Sequence, residues 1–357
     1  MSSIRAPILP ITELRQHPNP EVERLEIATV AGWQLCVPKG RYTQGDRVVY
    51  FERGTALPRE LADSLGVTNY LSEKTDMRGE RRLVVSQIRL KGEPSFGLAI
   101  EVPDEFKVAP DETDLADYFG AIKFEPPVKV STGDALPEHA LFPKYTDIEN
   151  MRSYPNVFRE GEQVVATEKI HGTNVRVGAV VEDGVVLTMA GSRQLRRAEP
   201  GGMEYLNNPY WFPLAIEGVQ ELLSTALAHG AKQVIVFGET FGSKIQSYDY
   251  GMHALGFRAF DIMIDGEWLN YDVFTTLCEM HGVETVPVVY RGPFSIDAIR
   301  NVSNGSSLVG GTHGREGVVV RPIIEQFNPT IGRVILKYVG DDYLLNKKND
   351  KNDTTDV

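Results

Sequence analysis

One lysine stands between two strand-forming runs near the middle of the chain, and that arrangement limits what the residues around it can become. Val164-Val165-Ala166 and Val175-Arg176-Val177 carry the β-branched bias of strands, while His171-Gly172-Thr173-Asn174 has the chemistry of a tight turn. The pattern predicts two strands joined by a short connection, with Lys169 at a strand end facing a cleft. Partial desolvation there disfavours an ammonium and leaves some free amine near neutral pH, and a free amine is a nucleophile. On spacing alone, Lys-x-x-Gly describes a surface lysine beside a hairpin equally well.

The hexapeptide Lys169-Ile170-His171-Gly172-Thr173-Asn174 resembles motif I of the covalent nucleotidyltransferases, the superfamily of ATP-dependent DNA ligases, RNA ligases and mRNA capping enzymes. Its His-Gly-Thr-Asn ending is similar to the RNA ligases that seal nicks in duplexed RNA, whereas DNA ligases and capping enzymes usually carry aspartate where His171 stands. The resemblance implies that Lys169 attacks the α-phosphorus of ATP and becomes a lysine–AMP phosphoramidate. It also implies that Glu168, Gly172 and Asn174 line the nucleotide site. His171 either orients the lysine or the water shell of a metal, or fixes the turn through a backbone hydrogen bond.

Five further stretches follow in the superfamily's order. Ser192-Arg193 resembles the phosphate-contacting arginine motif, which makes Arg193 the expected phosphate ligand; three arginines in a polar loop would by themselves be only solvated. Glu239, between Gly238 and Gly242, matches the third motif, where the glutamate holds the ribose 2′-OH and the glycines let a ligand approach the backbone. Phe257-Arg258-Ala259-Phe260-Asp261-Ile262 resembles the motif that sandwiches adenine. Strand alternation puts Phe257 and Phe260 on opposite faces, so one of them stacks on the base; we expect Phe257 there and Phe260 in the core. Glu316-Gly317 before three valines looks like motif IV, which implies that Glu316 positions Mg2+ or Mn2+ to draw charge off the α-phosphate. Lys337 resembles motif V, a lysine on the α-phosphate. Family members commonly have Lys-x-Lys, but Ile335 and Val339 flank this lysine, leaving Arg333 or Lys347 to supply a second cation.

The remaining sequence fills in the architecture. A chain of 357 residues with 42% apolar content is long enough for about two domains with real cores. From Ile11 to Glu101, short β-rich runs broken by turns predict an OB-like barrel, with a short helix around Glu60–Leu65. Tyr50, Phe51, Arg78, Arg81, Arg82, Arg89 and Lys91 are available for RNA contact on its surface, although Tyr50 and Phe51 individually read first as strand residues alternating between core and surface. The acidic, proline-containing stretch 102–133 reads as a linker, and the spacing of leucines over Pro213–Ala231 predicts a helix with a buried face. The expected fold is therefore α+β: an OB-like domain and linker (1–125), a nucleotidyltransferase domain of antiparallel sheets flanked by helices (126–345), and a disordered polar tail (346–357). A barrel ahead of the ligase core resembles the deinococcal-type RNA ligases.

Formal net charge is −12, which argues against a broad nonspecific coat of nucleic acid but leaves room for a basic groove. No apolar run of about 18 residues and no signal-peptide core are seen, so an intracellular, cytoplasmic protein without a membrane anchor is expected. Cys36 and Cys278 are far apart, fit a reducing compartment and are expected to be small buried hydrophobes. The expected activity is ATP-dependent sealing of 3′-OH/5′-phosphate nicks in RNA by a monomer. A DNA ligase or capping enzyme would use the same lysine, but each is expected to carry a C-terminal barrel for which little sequence follows Lys337. An RNA-end-binding protein with a weakened ligase core is the non-enzymatic alternative.

Overall fold

Ten strands form from the β-branched runs before Val102 in the computed structural model, which describes residues 4–127, 134–242, 245, 246, 248 and 250–346. They are β1 (Ile8–Gln16), β2 (Leu25–Val30), β3 (Trp33–Pro38), β4 (Arg47–Phe51), β5 (Thr55–Leu57), β6 (Ser72–Thr75), β7 (Arg81–Val84), β8 (Ile88–Leu90), β9 (Glu93–Ser95) and β10 (Leu98–Glu101). A helix, α1 (Arg59–Ser64), follows β5. Strand β1 pairs with β4 through Ile8–Pro10 and with β2 from Ile11 onward, across an irregularity between Ile11 and Glu13. A strand that changes partners along its length bends its sheet, as barrels require. Ile8, Val49, Phe51, Leu57, Val85 and Ile100 form the core beneath it.

Two expectations for this part are corrected. The stretch 102–124 is not a linker: α2 (Ala116–Phe119) and β11 (Ile122–Lys123) belong to the barrel, β11 pairs with β5, and Val102, Leu115 and Ala121 sit in its core. Its acidic residues are the solvent side of a folded segment. Tyr50 and Phe51 are 3% and 0% exposed, because β4 lies between β10 and β1, and the Tyr50 hydroxyl donates to Phe96 O at 2.7 Å. Neither ring is open to RNA.

Residue contacts divide the chain between Val128 and Lys129. The second unit holds β12 (Ala135–Leu136), β13 (Glu149–Asn150), β14 (Gln163–Glu168), β15 (Thr173–Glu182), β16 (Val185–Ser192), β17 (Arg196–Arg197), β18 (Gln233–Gly242), β19 (Leu255–Ile264), β20 (Glu267–Trp268), β21 (Val288–Pro293), β22 (Gly317–Pro322), β23 (Phe327–Asn328), β24 (Gly332–Arg333) and β25 (Leu336–Val339). Its helices are α3 (Glu217–Ala228), α4 (Tyr271–Met280), α5 (Ile296–Ser303) and α6 (Asp341–Asn346). The predicted helix over 213–231 is divided, with a 3-10 turn at Phe212–Ala215 preceding α3, since Pro213 suits a helix start and not its interior.

Seven strands make one sheet in the order β12-β17-β16-β15-β18-β19-β20, and five make another in the order β13-β25-β22-β14-β21. Helices α3 and α4 cover the outer face of the large sheet through Val219, Leu222, Phe274 and Cys278, packed on Val175, Val177, Val234 and Val236. Helix α5 covers the outer face of the small sheet, where Ile299 meets Ala166, Val318, Val320 and Leu336. Between the sheets lie Tyr145, Phe237, Met263 and Ile335, with Phe260 and Val319 half-buried beside them. Period-two alternation thus sends alternate residues of β14, β18, β22 and β25 into the space between the sheets. No helix among the described residues is long and apolar enough to cross a membrane. Cys278 is buried and Cys36 half-buried; burial raises their thiols to about 12 and about 11.

Candidate nucleotide-transfer site

Strand β14 ends at Glu168, and Lys169 continues its ladder by donating its N–H to Gly317 O at 2.9 Å. That register sets Lys169 beside Glu316. The Lys169 ammonium donates to Glu316 Oε1, and His171 Nδ1 lies 3.2 Å from Glu316 Oε2. The lysine side chain is 18% exposed and the glutamate side chain 0%, so the buried carboxylate holds both basic groups from within.

The turn after Lys169 is set by the large sheet. A Cβ on Gly172 would stand 2.5 Å from Thr240 O and 2.8 Å from Glu239 Cγ, so only glycine lets the turn lie against β18. The Gly172 amide lies close enough to the Glu239 carboxyl to favour its charged form, and the His171 N–H donates to the Tyr250 hydroxyl at 2.6 Å. His171 thus has its ring beside Glu316 and its backbone N–H anchored on Tyr250, the second of which is the turn-fixing role.

Glu239 faces Asn174 and Arg258 across its two neighbouring strands. Residues directly opposed in a ladder share a face, so these three point the same way. Asn174 Oδ1 is enclosed and has no hydrogen-bond partner. Burial pushes the Glu239 carboxyl up from 4.5 to about 8; Lys169 opposes the rise and Glu316 adds to it. A carboxyl that keeps its proton longer in the folded state stabilises the fold fully below about pH 4.5, and that contribution is lost as pH rises through about 8. Urea melts across this range should give a stability difference, wild type minus Glu239→Gln, that falls with rising pH. A flat difference would contradict the environment described here.

Register also decides between the phenylalanines. Phe257 pairs with Thr240, on the face opposite Glu239, and lies in the α3/α4 core at 5% exposure. A Cβ on Gly238 would stand 2.2 Å from the Phe257 ring, so Gly238 makes room for that ring rather than for a ligand. The choice of Phe257 as the stacking residue is corrected on this ground. The ladder is irregular between Phe237 and Gly238, which leaves Phe260 among the inter-sheet side chains, 4.9 Å from Tyr145 between ring centroids.

Glu168 departs from expectation as well. It pairs with Val318, on the α5 side of the small sheet, and its carboxylate accepts from Ser307 Oγ at 2.6 Å and Leu308 N at 2.7 Å. Lys337 pairs with Val319 on the inter-sheet face. Arg193 is ion-paired with Asp147, shortly before β13, whose Asn150 lies beside Lys337 in the parallel pair. Arg333 cannot serve as a second cation for Lys337, because Asp261 and Glu325 engage its guanidinium at 2.6 and 2.5 Å. Lys347, Lys348, Lys351 and the tail from residue 347 lie outside the described residues.

Comparison with known proteins bears on this arrangement. The family model described as RNA ligase matches residues 162–339, and an OB-fold domain model matches residues 8–102. The chain belongs to the RNA ligase family. No curated protein sequence matches it. Among solved structures, a mutant Naegleria gruberi RNA ligase with ATP and Mn superposes with a TM-score of 0.68 at 22% identity, covering 96% of this chain and 98% of that one. Another mutant of that ligase, with AMP and Mn, gives 0.71 at 22% identity, covering 95% and 97%. The same ligase with PPi gives 0.69 at 22% identity, covering 95% and 97%. The similarity extends over both units and fits an OB-fold domain followed by the mixed α+β ligase fold.

The RNA ligase segment contains Lys169, His171, Glu239, Glu316 and Lys337 together. Sequence reasoning missed Tyr250, Tyr248 and His313, which pack around His171: Tyr248 lies 5.0 Å from its ring, and His313 stacks on Tyr248 at 4.0 Å. Aromatic residues in a polar loop carry no periodic signal. The basic cluster of the barrel is also less available than its sequence suggested. Arg82 is held by Asp76 at 2.9 Å and by Glu80, and Arg81 faces Glu73 at 3.6 Å.

Proposed function

We propose that this protein is an ATP-dependent RNA ligase that seals 3′-OH/5′-phosphate nicks through a lysyl-AMP intermediate. The observation that carries the reading is Lys169 at the end of β14, paired with buried Glu316 and flanked by a desolvated Glu239, inside a segment that matches the RNA ligase family. The order of an OB-fold domain before the ligase unit supports the deinococcal type.

An ammonium bound to a carboxylate is not a nucleophile. Lys169 has to give up a proton, for which Glu316 is the group in contact, before its lone pair forms the nitrogen–phosphorus bond and the bond to pyrophosphate breaks. AMP then passes to the RNA 5′-phosphate, and the 3′-OH displaces it to form the phosphodiester. Each step is an in-line displacement at phosphorus, so the protein's work is to position groups and offset charge. In this reading Lys337, paired with Val319 on the inter-sheet face, takes the second task. Glu239 and Asn174 share a face suited to ribose hydroxyls, and half-buried Phe260 and Val319 offer apolar surface for a purine.

A divalent cation supplies Lewis-acid stabilisation of phosphate charge when bound. Among the described residues no group of three or more His, Cys, Asp or Glu is placed to hold one. Magnesium-like ions often bind through one or two carboxylates together with substrate phosphates, and the oxygen-only donor Glu316 fits that mode. Glu316 would then have to exchange Lys169 for the ion.

The test is a nicked RNA duplex with ATP and Mg2+ or Mn2+. We expect joining of a 5′-phosphate nick and none of a 5′-hydroxyl nick. Binding of nicked RNA without joining would favour the end-binding alternative.

A further inference from the structure

We infer that Tyr250 is a positioning residue for the nucleophile, acting through the backbone of the turn that follows Lys169; the inference rests on the ligase reading above. Two consecutive amides of that turn face side chains: the Gly172 amide lies close to the Glu239 carboxyl, and the His171 N–H donates to the Tyr250 hydroxyl at 2.6 Å. If Glu239 turns to ribose hydroxyls, Tyr250 is the hold on the turn that nucleotide binding leaves in place.

Tyr250 is itself unusually constrained. It is 4% exposed, and its backbone is left-handed at φ +53°, a conformation a bulky residue keeps only when its surroundings enforce it. Its ring packs edge-on against Phe241 and His313, at centroid distances of 5.1 and 4.6 Å. Gly310 and Gly311 lie directly on its backbone: a Cβ on Gly310 would stand 2.7 Å from Tyr250 O, and one on Gly311 3.1 Å from Tyr250 Cα.

The loop that grips Tyr250 also grips the other side of the nucleophile. Ser307 and Leu308 bind the Glu168 carboxylate, one residue before Lys169, and the same loop runs on into Glu316, the partner of Lys169. Residues 305–314, rich in glycine and serine, are thus a strap that brackets Lys169. Its direct arm reaches Glu168, and its indirect arm reaches His171 through Tyr250.

The decisive variant is Tyr250→Phe, which removes one oxygen and keeps the ring. Tyr271→Phe is the control, because the Tyr271 hydroxyl is buried in the α4 core without a hydrogen-bond partner. We expect Tyr250→Phe to slow lysine adenylation at saturating ATP by roughly tenfold or more, the scale on which small misplacements of a reacting group act. The KM for ATP should move by less than about threefold, and joining of a strand supplied already adenylylated should fall by no more than that, since that step bypasses attack by the lysine. Tyr271→Phe should leave all three readouts at wild-type values. Adenylation by Tyr250→Phe within about threefold of wild type, or equal slowing of adenylation and of the bypass step, would overturn the inference. If the wild type itself takes no AMP, the ligase reading fails, and this inference with it.

Discussion

With Lys169 replaced by alanine, the protein folds and joins no RNA ends from ATP, a loss of at least about a thousandfold. The expectation is large because no other described lysine continues the β14 ladder beside Glu316. Removing the ammonium leaves the Glu316 carboxylate buried beside His171 without its lysine, so a stability loss of about 1–3 kcal/mol accompanies the loss of activity. Lys169→Arg separates the two effects. Guanidinium can keep an ion pair with Glu316, but it stays protonated and does not attack phosphorus, so this variant should be nearly as stable as wild type and equally inactive from ATP. Both variants should still join a strand supplied with its 5′-phosphate already adenylylated, within about tenfold of wild type, because that strand carries the activation Lys169 would otherwise provide. Loss of joining from both starting points would mean that the substitution damages the site as a whole.

The largest stability effect should come from Asp261→Ala. Asp261 is 0% exposed and lies between two buried arginines, with Arg333 at 2.6 Å and Arg321 at 3.1 Å, while the Tyr145 hydroxyl donates to it at 2.9 Å. Burial, and then the Asp261 charge, raise the Tyr145 hydroxyl well above its usual range, so it stays a donor at any working pH. Without the carboxylate, two guanidinium groups share Glu325 alone in the space between the sheets. Breaking a buried pair from one side costs about 3–5 kcal/mol, which for a unit of this size lowers the melting midpoint by roughly 10 °C. Adding Arg333→Met to Asp261→Ala should cost less than the sum of the two single changes, because the second substitution removes a charge the first has stranded. Strict additivity would show that the network is not coupled in the way described.

That network also explains where the sequence was informative and where it was silent. Lys169 stands just past the end of β14, three residues before Gly172, and Glu239 and Glu316 each have a glycine beside them, so local chemistry marks them. Pairing across sheets is not local. The opposite faces of Phe257 and Phe260 follow from strand alternation, but which face holds Glu239 depends on the β18–β19 register and its irregularity after Phe237. Gly238 looked like room for a ligand and is filled by the Phe257 ring. Arg333 looked like a spare cation because its partner Asp261 stands 72 positions earlier in the chain.

The barrel repeats the lesson. Its strands were legible from β-branched runs, yet residues 102–124 read as linker because acidic residues and prolines interrupt the apolar ones that reach the core. Arg82 belongs to an Asp76 turn in which one carboxylate also accepts from Arg78 N and Glu80 N, each at 2.9 Å, a local geometry that a count of arginines does not reveal. Tyr250 is likewise beyond local sequence reach: its hydroxyl acts on a residue 79 positions earlier.

Incubation of the wild-type protein with α-labelled ATP and a divalent metal, followed by denaturing electrophoresis and peptide mapping, tests the central claim most directly. The account predicts label retained through denaturation and carried by the peptide that contains Lys169, with none on Lys169→Arg. Label on another residue, or none on protein shown by mass to carry no AMP beforehand, would contradict it.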